Sequence, residues 1–169
     1  MPTTLHPATV HFPIALLLLA CAAGLLHLYW RQHDVLRNLT WWPLLLGWIG
    51  NGVAILTGLV AQSGLPPQAP YRAILNWHVT TGFALWALCG ILLYRWWLHG
   101  KAGKRSRRRI NSPDGQEPAT DLLRDPSARF MLTLIFSLLI VFVIASGWNG
   151  GKLVYEWGIN VGTQCSAEC

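Results

Sequence analysis

The chain has 169 residues, of which 53% are hydrophobic and only 12% charged, with ten Trp among them. That balance excludes an ordinary soluble domain, and the length leaves room for a single domain. The formal charge of +6 is no nucleic-acid signature: Lys101, Lys104, Arg105, Arg107, Arg108 and Arg109 form one run beside an apolar span, with no groove-reading element near it.

Four apolar spans follow one another, at roughly 8–30, 41–62, 73–98 and 128–148, each long enough to cross a bilayer. The first has no basic stretch before Phe12 and no small-residue cleavage site after Leu28, so it is read as a retained helix and not as a signal peptide. The second carries Asn51 at mid-span, where an amide is expected to bond across helices. The third holds His78 near its start and Trp96 and Trp97 near its end. Residues 99–127 are basic and polar with Pro113 and Pro118, which predicts a flexible loop before the fourth span. Backbone groups in hydrocarbon must be satisfied within their own segment, and the alternation of a barrel strand is missing, so the spans are helices.

The expected fold is all-α, an integral membrane antiparallel four-helix bundle forming one domain over 1–169. Arg31 and Arg37 lie in the first loop, Arg72 alone in the second, and the basic run with Arg124 and Arg129 in the third. The first and third loops are therefore predicted cytoplasmic and both termini outside. The aromatic belts agree, with Trp30, Trp41, Trp42, Trp96 and Trp97 at one interface and Tyr71, Trp77, Trp148 and Tyr155 at the other. The basic run reads first as this topology signal and second as a contact for anionic headgroups.

The first two spans resemble the last two. His11 precedes Cys21 by ten residues and His78 precedes Cys89 by eleven, while Thr57-Gly58 matches Ser146-Gly147. A parallel two-fold repeat accounts for such pairs.

Topology brings His6, His11 and His78 to one end of the bundle, and an imidazole in a span faces the bundle interior or water, where it ligates metal or relays protons. The competing structural role is a ring bonded to a nearby carbonyl, which Pro13 favours for His11 by suggesting a helix start beside it. The sharper expectation is haem b between helices 1 and 3, with His11 and His78 as axial ligands, His6 nearby and Arg72 and Lys152 as partners for the propionates. Glycines, Gly58, Gly82 and Gly147 among them, would let the macrocycle pass the backbone, although close helix packing is their commoner use. A metal site on His11 and His78, with zinc or copper favoured in the absence of carboxylates, uses the same convergence. His27, His33 and His99 are expected as interfacial side chains, and Cys21 and Cys89 as packed thiols. Cys165 and Cys169, on the outer side, are open to oxidation. No nucleophile elbow, phosphate-binding loop or paired carboxylates appear in the sequence, which leaves hydrolase and nucleotide-driven readings without support.

The segment H-P-x-x-V-H-F-P from His6 to Pro13, Trp77-His78, and the ending G-G-x-L-V-Y-x-x-G from Gly150 to Gly158 resemble a bacterial family of predicted membrane proteins, domain of unknown function 2231. The resemblance covers nearly the whole chain. It implies a four-helix protein of the bacterial inner membrane, with family motif positions at His6, His11, His78 and Gly150 to Tyr155; it supplies no activity. Some relatives look associated with cytochrome c domains, which favours a redox reading. The expected function is thus a small membrane redox protein, an electron carrier more than an enzyme, exchanging electrons with an external carrier such as cytochrome c. The rivals are an accessory subunit of a larger respiratory or photosynthetic membrane complex, and a metal-binding or transport protein.

Overall fold

Leu5 opens the first helix, earlier than the sequence suggests, because Pro7 falls in the first turn, where its missing N–H costs nothing. The computed structural model describes residues 5–109 and 121–159. Helices α1 (Leu5–Tyr29), α2 (Asp34–Gln62), α3 (Arg72–Arg109) and α4 (Arg129–Tyr155) account for most of them, with two 3₁₀ turns, Leu122–Arg124 and Pro126–Ala128, leading into α4. No strand occurs among the described residues. All four helices are long and apolar enough to cross a membrane.

The helices pack as a bundle in which α1 lies on α2 and α3 on α4, with further contacts of α1 to α4 and α2 to α3. Inward faces bury Leu17, Leu44, Leu92, Leu132, Phe136 and Leu139, with Cys21 and Cys89 fully buried beside them. Outward faces expose Phe12, Leu56, Trp77, Phe130, Val141 and Ile144, an apolar exterior of the kind lipid covers. Small residues decide where the backbones come close. On α2, Gly47, Gly50, Ala54 and Gly58 recur at helical spacing, and a Cβ on the three glycines would meet Leu17 at 2.8 Å, Pro13 at 3.3 Å and His6 at 2.9 Å. This is the small-residue stripe that lets α1 settle against α2.

The far end of the bundle, where α2 begins, differs from the sequence expectation. Helix α3 runs on to Arg109, past the apolar span, because Lys, Arg and Ala are good helix formers in water as well as in lipid. The middle of the expected loop, residues 110–120, lies outside the described residues, as do Cys165 and Cys169. Its last part is not a loose tether. Leu122 and Leu123 are buried in the core, and the turns that carry them are capped by Asp121, accepting from Leu123 N–H at 3.2 Å, and Asp125, accepting from Ser127 N–H at 2.9 Å. The Ser127 hydroxyl, 2.7 Å from Asp125 Oδ1, helps to hold that carboxyl below its ordinary value of 3.8. His27, expected at the interface, is fully buried and donates from Nδ1 to the carbonyl of His33 at 3.2 Å.

At the other end, Gly158 ends α4 with φ of 59°, the left-handed conformation that favours glycine. The chain turns back, Ile159 N–H reaches the Leu153 carbonyl at 3.0 Å, and Ile159 packs in a small cluster with Leu75 and Leu153. The last glycine of the G-G-x-L-V-Y-x-x-G ending is therefore a helix stop.

Candidate functional site: a paired-imidazole cavity

Where α1 and α3 begin and α2 and α4 end, the bundle encloses a cavity of about 480 Å³, within the range of small-ligand and cofactor sites. Its walls are chiefly apolar, and its polar groups are few: His6, His11, His78, Asn51 and Ser146 among them.

His6, on the first turn of α1, faces His78, on the second turn of α3, with ring centroids 6.1 Å apart and planes 79° from parallel. Each ring rests on a glycine of the neighbouring helix. A Cβ at Gly58 would lie 2.9 Å from His6 Cε1, and one at Gly150 would lie 3.0 Å from His78 Cε1. The expected repeat is thus realised in a shifted register, His6 with Gly58 and His78 with Gly150, in place of His11 with Gly58 and His78 with Gly147.

Hydrogen bonding fixes what each ring presents to the cavity. The Thr57 hydroxyl donates to the Ala54 carbonyl at 3.0 Å, so its oxygen is left to accept from His6 Nδ1–H at 3.2 Å. His78 Nδ1–H donates to the Ser146 carbonyl at 2.9 Å, with the Ser146 hydroxyl more distant at 3.5 Å. Both Nδ1 atoms carry the proton, and both Nε2 atoms keep a lone pair. Two such acceptors suit a Lewis acid, and an Nδ1–H anchored to an oxygen is the usual support of a metal-ligating imidazole.

The other candidate residues are placed apart from this pair. His11 is exposed at the rim and donates from Nδ1 to the Pro7 carbonyl at 2.8 Å, one turn back on its own helix. Helix α1 begins six residues before His11, which makes the latter an intrahelical position whose ring turns to its own backbone. Arg72 is bound to loop carbonyls, Nε to Pro67 at 3.3 Å and Nη2 to Leu65 at 3.1 Å. Lys152 Nζ stands 5.7 Å from the centre of the Trp148 ring. Asn51 bonds across helices as expected, donating to the Gly82 carbonyl at 3.4 Å. Among the described residues no cluster of three or more His, Cys, Asp or Glu is arranged to hold a metal ion. Sequence reasoning named Thr57 in the repeat and Gly150 in the family ending but gave neither a place in the site.

The model of the predicted membrane protein family DUF2231 matches residues 2–163. The chain belongs to this family. No curated protein and no solved structure matches it. Within the matched residues, His6 and His78 are the pair that meets in the cavity, and Gly150 is the floor under one of them.

Proposed function

We propose that the protein is a small redox protein of the bacterial inner membrane, holding haem b in this cavity with His6 and His78 as axial ligands. The observation that carries the reading is the facing pair of imidazoles, each anchored at Nδ1 and free at Nε2. A metal to imidazole bond is about 2.0–2.1 Å, so two rings on opposite sides of one metal have centroids roughly 6 Å apart. The separation of 6.1 Å supports that arrangement, and haem iron asks the protein for no more than two such ligands. The positive-inside rule puts the basic end of α3 in the cytoplasm, and consecutive spans then alternate in direction, with both termini and the haem toward the outer surface. A haem held there by His6 and His78 would supply one-electron chemistry within reach of an external carrier.

The test is the absorption spectrum of the full chain purified in mild detergent, oxidised and then reduced with dithionite, with a pyridine haemochrome assay for stoichiometry. A sharp reduced α-band and about one haem per chain are expected. His6→Ala and His78→Ala should each abolish the band, and His11→Ala should keep it. A clean wild-type protein with no Soret band, made in cells supplied with haem precursor, rules the reading out.

A further inference from the structure

The two imidazoles of the cavity cross. Their planes stand 79° from parallel, and the neighbouring helix holds each ring at two places. Under each lies a glycine, Gly58 for His6 and Gly150 for His78. Four residues before each glycine stands the carbonyl that fixes the ring. Ser146 accepts directly from His78 Nδ1–H at 2.9 Å. Ala54 accepts from the Thr57 hydroxyl at 3.0 Å, and the oxygen of that hydroxyl accepts from His6 Nδ1–H at 3.2 Å. Seat and anchor together leave neither ring free to turn about the direction of its Nε2 lone pair.

The crossing has a source in the repeat. Two like halves related by a two-fold along the bundle axis tilt their rings equally and in opposite senses, so the planes are parallel only where the tilt is zero or a right angle. Half of the observed 79°, about 40° for each ring, is far from both. The angle decides how the rings act on one metal between them. The π orbital of an imidazole stands perpendicular to its ring, so parallel rings donate into the same d orbital of the iron and crossed rings into two different ones. Parallel rings split those orbitals, which stabilises ferric iron. Crossed rings leave them nearly equal and withhold that stabilisation, which raises the reduction potential; the lever is the hydrogen bond behind each ligand.

We infer that the Thr57 hydroxyl and the Ser146 carbonyl are positioning groups that hold the axial imidazoles of His6 and His78 crossed, and so set a higher potential than parallel rings would give. The inference rests on the haem reading above and adds to it which groups tune the iron.

Electron paramagnetic resonance of the oxidised full chain, frozen in mild detergent at liquid-helium temperature, tests this. Crossed planes give a single ramp-shaped feature at low field, and parallel planes give three resolved lines. The ramp is expected from the wild type. A Soret band accompanied by the three-line signal overturns this inference alone, whereas a protein with no Soret band ends it together with the haem reading. Thr57→Val frees the His6 ring and should move most of the signal to the three-line form, and Thr57→Ser should restore the ramp. Ser146→Ala keeps the carbonyl and should leave the ramp as it is. A ramp undiminished in Thr57→Val, or lost in Ser146→Ala, also overturns the inference. The shape of the signal decides, because loss of a hydrogen bond behind a ligand alters the potential on its own account. If Thr57→Val holds too little haem for a spectrum, the wild-type signal still distinguishes crossed from parallel rings.

Discussion

Helices α1 and α2 and helices α3 and α4 solve one problem in two ways. In each pair a histidine near the start of one helix lies on a glycine near the end of its neighbour. In the first pair the contact is the last of a series, since Gly47 and Gly50 also receive side chains of α1. In the second pair it stands nearly alone: Gly82 of α3 and Gly147 and Gly151 of α4 would each find nothing within 4 Å of an added Cβ. The anchors differ as well, a side-chain hydroxyl of Thr57 for His6 and a main-chain carbonyl of Ser146 for His78. The closely packed pair thus supplies a rigid wall, and the looser pair supplies the room.

The largest effect that breaks this comparison comes from filling the two histidine seats. Gly58→Val and Gly150→Val should both displace an imidazole and abolish the spectrum expected of the proposed haem, but only Gly58→Val should also lower the thermal midpoint of the protein without cofactor strongly, because α1 cannot move away from α2. Equal midpoints would mean that the two pairs are equally loose. Next comes the packing series itself. Gly47→Ala places a methyl 2.8 Å from Leu17 Cδ2 and should cost about 1–3 kcal/mol in a reversible unfolding assay in detergent. Gly147→Ala, into open space, should be neutral or stabilise by up to about 1 kcal/mol through helix propensity.

The anchors predict a smaller, purely functional contrast. Thr57→Val removes the acceptor for His6 Nδ1 and should weaken the proposed haem binding about 10–100-fold in a titration of the protein without cofactor. Ser146→Ala leaves the carbonyl that holds His78, and binding should change by less than about two-fold. The smallest effect lies outside the spans. The Asp125 carboxyl is depressed by its Ser127 bonds, so its stabilising contribution is complete above its ordinary value of 3.8 and is lost as pH falls through the lower folded value. The fall in thermal midpoint between about pH 5 and pH 3 should be steeper in the wild type than in Asp125→Asn.

Much of this was legible in the residues. Four apolar runs determine four helices, because lipid admits only helices and closed barrels and the alternation of a barrel strand is missing. The convergence of His6, His11 and His78 at one end follows from helix order and length alone. Which two of the three would face each other did not follow. Rise per residue put His11 level with His78 and so drew attention to it, whereas the helix starts earlier, with Pro7 in its first turn, and His6 occupies the inward face above Gly58. Leu122 and Leu123 were hidden for a similar reason: two apolar residues in a polar stretch carry no periodicity, and only the gap left under the helix ends shows what they cover.

The sequence by itself determined the number of helices, their lipid-facing exterior and the inventory of imidazoles, since these depend on composition and on distances along one chain. The tertiary structure decided the pairing of His6 with His78, the proton on each Nδ1 and the cavity they share. Those depend on which glycine of one helix lies opposite a given residue of another, and a shift of one turn between neighbouring helices, about 5 Å, would have chosen a different pair.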